Sequence, residues 1–68
     1  MKDLSVHLGK KLRTKRKELG ISQEKLALLT EIDRSYVGRI ERGEVNITIE
    51  KLYQFAEVLQ CDVRELLP

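Results

Sequence analysis

The side chains best suited to chemistry cluster between Ser22 and Arg42. Arg34, Ser35 and Arg39 belong on the outward side of one short helix. A guanidinium presents a planar fork of N–H donors that matches the O6/N7 edge of guanine and the oxygens of a phosphate. Serine is a weaker reader, because its hydroxyl pairs with several bases. Ser22 and Gln23 open the preceding helix, where free backbone N–H groups and the Gln23 amide are both placed to donate to a phosphate. Tyr36 admits three roles: touching a thymine methyl, bonding a phosphate, or packing. The phosphate contact is the expectation carried forward. Nothing in the chain suggests catalysis: there is no acid–base pair, no nucleophile with a partner and no phosphate-binding glycine loop. The single Cys and single His cannot make a zinc site, so neither metal nor cofactor is expected. Cys61 has no second thiol to resolve an oxidised form and reads as a small hydrophobe. His7 reads as a surface residue.

These groups sit in 68 residues, enough for one domain spanning 1–68. A chain of this size buries only about 60% of its unfolded surface, so its stability margin is thin. One cysteine rules out an internal disulfide, which leaves an efficient helical core, helped by a partner subunit. The net charge of +2 says little, but its distribution says more. Residues 1–40 carry ten Lys/Arg against five Asp/Glu, and residues 41–68 carry three against six. Six of the eight residues from Lys10 to Lys17 are basic. A basic half suits a polyanion, while a solvated helix face explains the same run equally well. No stretch approaches the ~18 to 20 apolar residues of a membrane span. Lys2, Asp3 and His7 interrupt any signal-peptide core, so a cytoplasmic location is expected.

The punctuation divides the chain into five helices with no strand. The first runs from about Ser5 to Leu19, with Leu8, Leu12 and Leu19 near one face and Gly20 ending it. Ser22 caps a second, Gln23 to Thr30, whose Leu26, Ala27 and Thr30 face inward. Asp33 caps a third, Arg34 to Arg42, with Val37 and Ile40 inward and Gly43 ending it. Gly38 in its middle costs about 0.5–1 kcal/mol relative to Ala. That marks either a close approach to the backbone or simple tolerance. Thr48 caps a fourth helix whose apolar stripe is Ile49, Leu52, Phe55, Ala56 and Leu59. Asp62 and Glu65 form a capping box for a short fifth, with Val63, Leu66 and Leu67 completing the core. Two short helices joined by a tight turn have the proportions of a helix-turn-helix, and Ala27 suits the point where they cross.

Four segments then combine: LR-x-x-R at 12–16, G-I-S-Q-E-x-L-A at 20–27, Y-V-x-x-I-E-R-G at 36–43, and the closing L-x-x-F-A-x-x-L. In this order and spacing they resemble the phage repressor and Cro family of helix-turn-helix domains, the XRE family, over residues 8–67. The stretch RSYVGRIERGEVNIT also resembles the stand-alone controller proteins of restriction–modification systems. The resemblance implies an all-α, five-helix, lambda-repressor-like domain. It further implies a sequence-specific transcriptional regulator that places the helix at about 34–42 in the major groove of palindromic operator DNA, as a homodimer. By the same resemblance Arg34, Ser35 and Arg39 read bases and Gln23 clamps a phosphate. Arg42, Asn46 and Thr48 contact the DNA backbone, and Arg16 and Glu41 form a partly buried ion pair. Two positions depart from the pattern. Glu31 stands where the turn often has Gly, and Val45-Asn46-Ile47 stands where the loop often has Pro.

Tyr53, Val58 and Leu67 fall off the ideal inner stripe. Scattered exposed hydrophobes are normal. Here a two-fold dimer patch on the acidic half is the expectation, since the family reads paired half-sites. The alternative function is a protein-interaction module, such as an antitoxin that neutralises a partner protein. Such a module has no need of exposed arginines or of a free helix N-terminus.

Overall fold

The computed structural model describes residues 2–68 along the backbone and 4–68 in their side chains. Four α-helices follow one another: α1 (Lys2–Glu18), α2 (Gln23–Thr30), α3 (Arg34–Glu41) and α4 (Ile49–Val58). One 3₁₀ turn, Val63–Leu66, closes the chain, and no strand occurs among the described residues. The fifth helix expected from the sequence is therefore a single 3₁₀ turn.

The starts of α2, α3, α4 and the 3₁₀ turn are each written in a side chain. Ser22 Oγ accepts from the Lys25 N–H at 3.0 Å, and Thr48 Oγ1 from the Lys51 N–H at 3.2 Å. Asp33 accepts from the Ser35 N–H at 2.8 Å. Asp62 and Glu65 complete the reciprocal box at the 3₁₀ turn. These bonds satisfy donors that have no partner inside a helix. Hydrogen bonds from the Arg64 side chain and then its N–H lower the Asp62 carboxyl to about 2.

The core is built from Leu8 and Leu12 of α1, Leu26 and Ala27 of α2, Val37 and Ile40 of α3, Leu52, Phe55 and Ala56 of α4, and Leu59 and Leu66 beyond. Phe55 and Leu26 are fully enclosed. Helix α3 packs on α1 and α2, α2 also packs on α4, and the 3₁₀ turn bridges α1 and α4. Gln54 Nε2 reaches from α4 to the Thr30 carbonyl at 2.6 Å and ties α4 to the end of α2. Two stripe residues miss the core. Leu19 lies just past the end of α1 and is 40% exposed. Ile49, the first residue of α4, is 74% exposed because the stripe starts one turn before α4 reaches the core. Leu67, also assigned to the core, is 39% exposed.

Two close approaches set the frame. An added Cβ at Gly9 of α1 would stand 2.5 Å from the Ile40 carbonyl oxygen and 2.6 Å from that of Glu41. Helices α1 and α3 therefore meet backbone to backbone. Gly43, at φ +75°, turns the chain out of α3 so tightly that an added Cβ would fall 2.8 Å from Val6 Cα.

The departure at Glu31 is visible as strain. Glu31 ends α2 in the left-handed region, at φ 56° and ψ 33°. That conformation costs a residue with a Cβ about 1–2 kcal/mol. Glycine's greater freedom in the unfolded chain cancels part of the relief. Glu31→Gly is expected to stabilise the domain by about 0.5–1 kcal/mol, raising the melting midpoint by roughly 4 °C. An unchanged midpoint would show that the Glu31 side chain contributes as much as the strain costs.

Candidate nucleic-acid interface

Helix α3 exposes Arg34, Ser35 and Arg39 while burying Val37, Gly38, Ile40 and Glu41. Position 38 lies on the buried side, although α3 carries no side chain there. An added Cβ would meet Arg42 Nη1 at 3.1 Å and Gln23 Oε1 at 3.7 Å. Of the two readings of this glycine, the geometry selects close approach. The bare backbone is where the Arg42 guanidinium and the Gln23 amide come together.

Behind this surface lies a buried polar node. Arg16 Nε and Nη2 donate to the two Glu41 carboxylate oxygens at 2.8 and 3.1 Å. Arg16 Nη1 donates to the Ile21 carbonyl at 2.9 Å. Gln23 Nε2 donates to Glu41 Oε1 at 3.0 Å. One arginine thus joins α1 to α3 and to the residue that leads into α2. The same carboxylate orients Gln23, spending one amide N–H and leaving the second free.

Each exposed arginine of this surface, Arg34, Arg39 and Arg42, has a carboxylate at hand. Arg34 Nε lies 3.8 Å from Glu24, and Arg39 Nε lies 3.9 Å from Glu44. Arg42 Nε donates to Glu44 at 2.6 Å. Hydrogen bonding from the Arg42 side chain, with help from the charges of Arg42 and Arg39, holds the Glu44 carboxyl below the usual range. The Ser35 hydroxyl and N–H both donate to the Asp33 carboxylate. Those bonds, led by the hydroxyl, lower the Asp33 carboxyl and leave Ser35 as an acceptor only.

The flanking residues carry structural work of their own. Ser22 and Thr48 are helix caps, and both stay exposed. The Ser5 hydroxyl donates to Asn46 Oδ1 at 2.7 Å, a bond that uses the amide oxygen and neither of its N–H donors. Tyr36 is half-buried against the core, and Lys51 Nζ sits 4.6 Å from the centre of its ring. Packing and a cation–π contact therefore hold Tyr36. Lys51 and Glu44 carry no signal in the sequence beyond their charge, since Lys51 meets Tyr36 only through the fold and Glu44 meets Arg42 only across the turn at Gly43.

Of the expected dimer residues, Tyr53 and Leu67 are exposed and Val58 is half-buried against the core. They do not share one depression. Tyr53 lines a shallow, acidic one with Glu50, Glu57 and Asp62. Leu67 lines an apolar groove of about 390 Å³ with Leu4, Leu8, Ile47, Ile49 and Leu52.

Among known proteins, the helix-turn-helix family model HTH_3 matches residues 12–66. The control protein C.SmaI of Serratia marcescens is 35% identical over 65 residues, which cover 96% of this chain and 77% of that protein. The restriction–modification controller protein C.AhdI of Aeromonas hydrophila superposes with a TM-score of 0.89 at 43% identity, covering 93% of this chain and 96% of that one. The same fold also makes up 36% of the hydroxypropylphosphonic acid epoxidase of S. wedmorenis, with a TM-score of 0.93 at 26% identity over the whole of this chain. A fold that serves both proteins does not by itself assign a function. With the family model covering most of the chain and the buried node joining its helices, this chain belongs to the helix-turn-helix family of XRE type.

Proposed function

We propose that the protein is a sequence-specific DNA-binding transcriptional regulator of the controller type, acting in the cytoplasm as a homodimer on palindromic operator DNA. The observation that carries this reading is the outward row of Arg34, Ser35 and Arg39 on α3, flanked by the exposed caps Ser22 and Thr48. Helix α3 enters the major groove. Arg34 and Arg39 read guanine edges, and Ser35 accepts from a base amine such as cytosine N4. Gln23, Arg42, Asn46 and the N-termini of α2 and α4 grip phosphates. Tyr36 borders that grip. This is a binding role, and it calls for no cofactor or metal.

One recognition helix reads only a few base pairs. Two helices about 34 Å apart read a palindrome. The basic half must remain free, so the partner copy covers the acidic half, which carries Tyr53, Val58 and Leu67. The interaction-module alternative has no observation of its own to favour it.

Selection from a random duplex pool, followed by titration of the selected site, tests the reading. Two chains are expected per palindrome. Affinity should fall steeply with salt, with a slope near −7 if each subunit neutralises about four phosphates. Arg39→Ala should relax preference at one base position by about 1–3 kcal/mol, while Gln23→Ala weakens all sequences alike. Tyr53→Asp and Leu67→Asp, sedimented separately, identify which depression meets the partner. Affinity that stays flat with salt would refute DNA binding.

A further inference from the structure

The arginines meant for DNA are already occupied, and not equally. Glu44 sits between two of them, in hydrogen-bond contact with Arg42 at 2.6 Å and 3.9 Å from Arg39. A second, longer contact from Arg42 Nη2 at 3.5 Å makes the pairing fork to fork. A carboxylate gripped this way stands in for a phosphate, since both present two oxygens to the same planar donors. The pose is supported from beneath. The missing Cβ of Gly38 lets the Arg42 guanidinium lie against α3. The Glu44 N–H donates to the Arg39 carbonyl at 3.0 Å, which fixes where the carboxylate starts. All three side chains remain about half exposed, so incoming DNA can reach them.

We propose that Glu44 is an internal phosphate mimic, a built-in competitor that occupies the fork of Arg42, stands beside Arg39 and sets the affinity for duplex DNA. The proposal rests on the DNA-binding reading above. Every complex in which these arginines take phosphates or base edges must first displace the carboxylate. That carboxylate would otherwise face the DNA's own charge. The same cost falls on operator and random duplex alike. Glu44 therefore lowers affinity across the board and leaves the ratio of operator to random binding unchanged.

Glu44→Gln keeps the shape and removes the competitor. Its affinity for random duplex at low salt should rise roughly three- to tenfold, the scale of releasing two exposed ion pairs. Its salt slope should steepen by no more than about one unit, at roughly 0.9 per phosphate contact, because Arg42 is the phosphate-gripping arginine that Glu44 holds. Glu18→Gln removes the same formal charge from an exposed position at the end of α1 and should bind as wild type does. Melting curves of both variants confirm that the fold is retained. The proposal fails if Glu44→Gln binds like wild type, or if Glu18→Gln gains as much, since net charge alone would then explain the gain. It fails also if Glu44→Gln binds more weakly, which would mean that the carboxylate accepts from a base amine. Wild type that binds DNA alongside an unchanged Glu44→Gln overturns this inference alone. Wild type that binds no duplex overturns the DNA-binding reading with it.

Discussion

Arg16→Ala is expected to remove a large share of the domain's stability and to lower its melting midpoint more than any other single change to a polar residue. The Glu41 side chain is 3% exposed and takes three of its hydrogen bonds from two residues, two of them from Arg16. Without Arg16 the buried charge keeps only the Gln23 amide. Breaking a buried pair by removing one partner costs about 3–5 kcal/mol. At roughly 0.05–0.15 kcal/mol per residue a domain of this size holds about 3–10 kcal/mol, so the loss is a large share of its stability. The arginine stem, packed between α1 and α3, is lost as well. Glu41→Ala should cost somewhat less. Arg16 keeps its bond to the Ile21 carbonyl, and its side chain, at 11% exposure, is nearer to water. Replacing both residues with apolar side chains of similar volume should recover much of the loss, because no charge then stays buried alone. Thermal melts of the two single variants and the double one decide this. Wild-type midpoints in both single variants would refute the buried-node account.

Gly9→Ala and Gly38→Ala are expected to move stability in opposite directions. Both residues lie inside helices, where Ala gains about 0.5–1 kcal/mol over Gly. At Gly9 the new methyl would press on two backbone carbonyls of α3, at 2.5 and 2.6 Å. Backbone cannot step aside, so α1 and α3 must separate, and overpacking of this kind costs about 1–3 kcal/mol or more. The separation also pulls at the Arg16–Glu41 pair, whose carboxylate belongs to one of those two α3 residues. We expect a net loss of about 2 kcal/mol and a midpoint lower by roughly 10 °C. At Gly38 the nearest atom is the end of the Arg42 side chain, which can swing away. Gly38→Ala should melt at or slightly above the wild-type temperature and show its effect in DNA affinity instead. Equal shifts in the two variants would show that the α1–α3 contact is looser than its geometry.

The sequence alone determined the elements whose causes are local. Ser22, Asp33, Thr48 and Asp62 each cap a helix through bonds reaching two or three residues along the chain, so their positions mark the starts of α2, α3, α4 and the 3₁₀ turn. Helical spacing likewise picked out Leu26, Val37, Ile40, Leu52 and Phe55 as core. It also placed Arg34 and Arg39 on the outer side of α3, because a period of 3.6 assigns faces without reference to a neighbour. Spacing failed at the edges of that rule. Ile49 and Leu19 continue the apolar stripes but lie past the reach of the partner helices, and only the packing shows where a stripe ends. The last element has one turn, too short for sequence to separate a 3₁₀ turn from an α-helix. Tertiary structure alone decided the rest. Gly9 carries no signal in its own helix, and its importance lies in how near the α3 carbonyls come. Gln23 reads as a free amide until α3 brings Glu41 within 3.0 Å. Glu44 reads as loop charge until the turn at Gly43 sets it between Arg42 and Arg39. In each case the partner belongs to another element or lies across a turn. The distance is fixed by the packing of whole helices, a property that no local run of residues encodes.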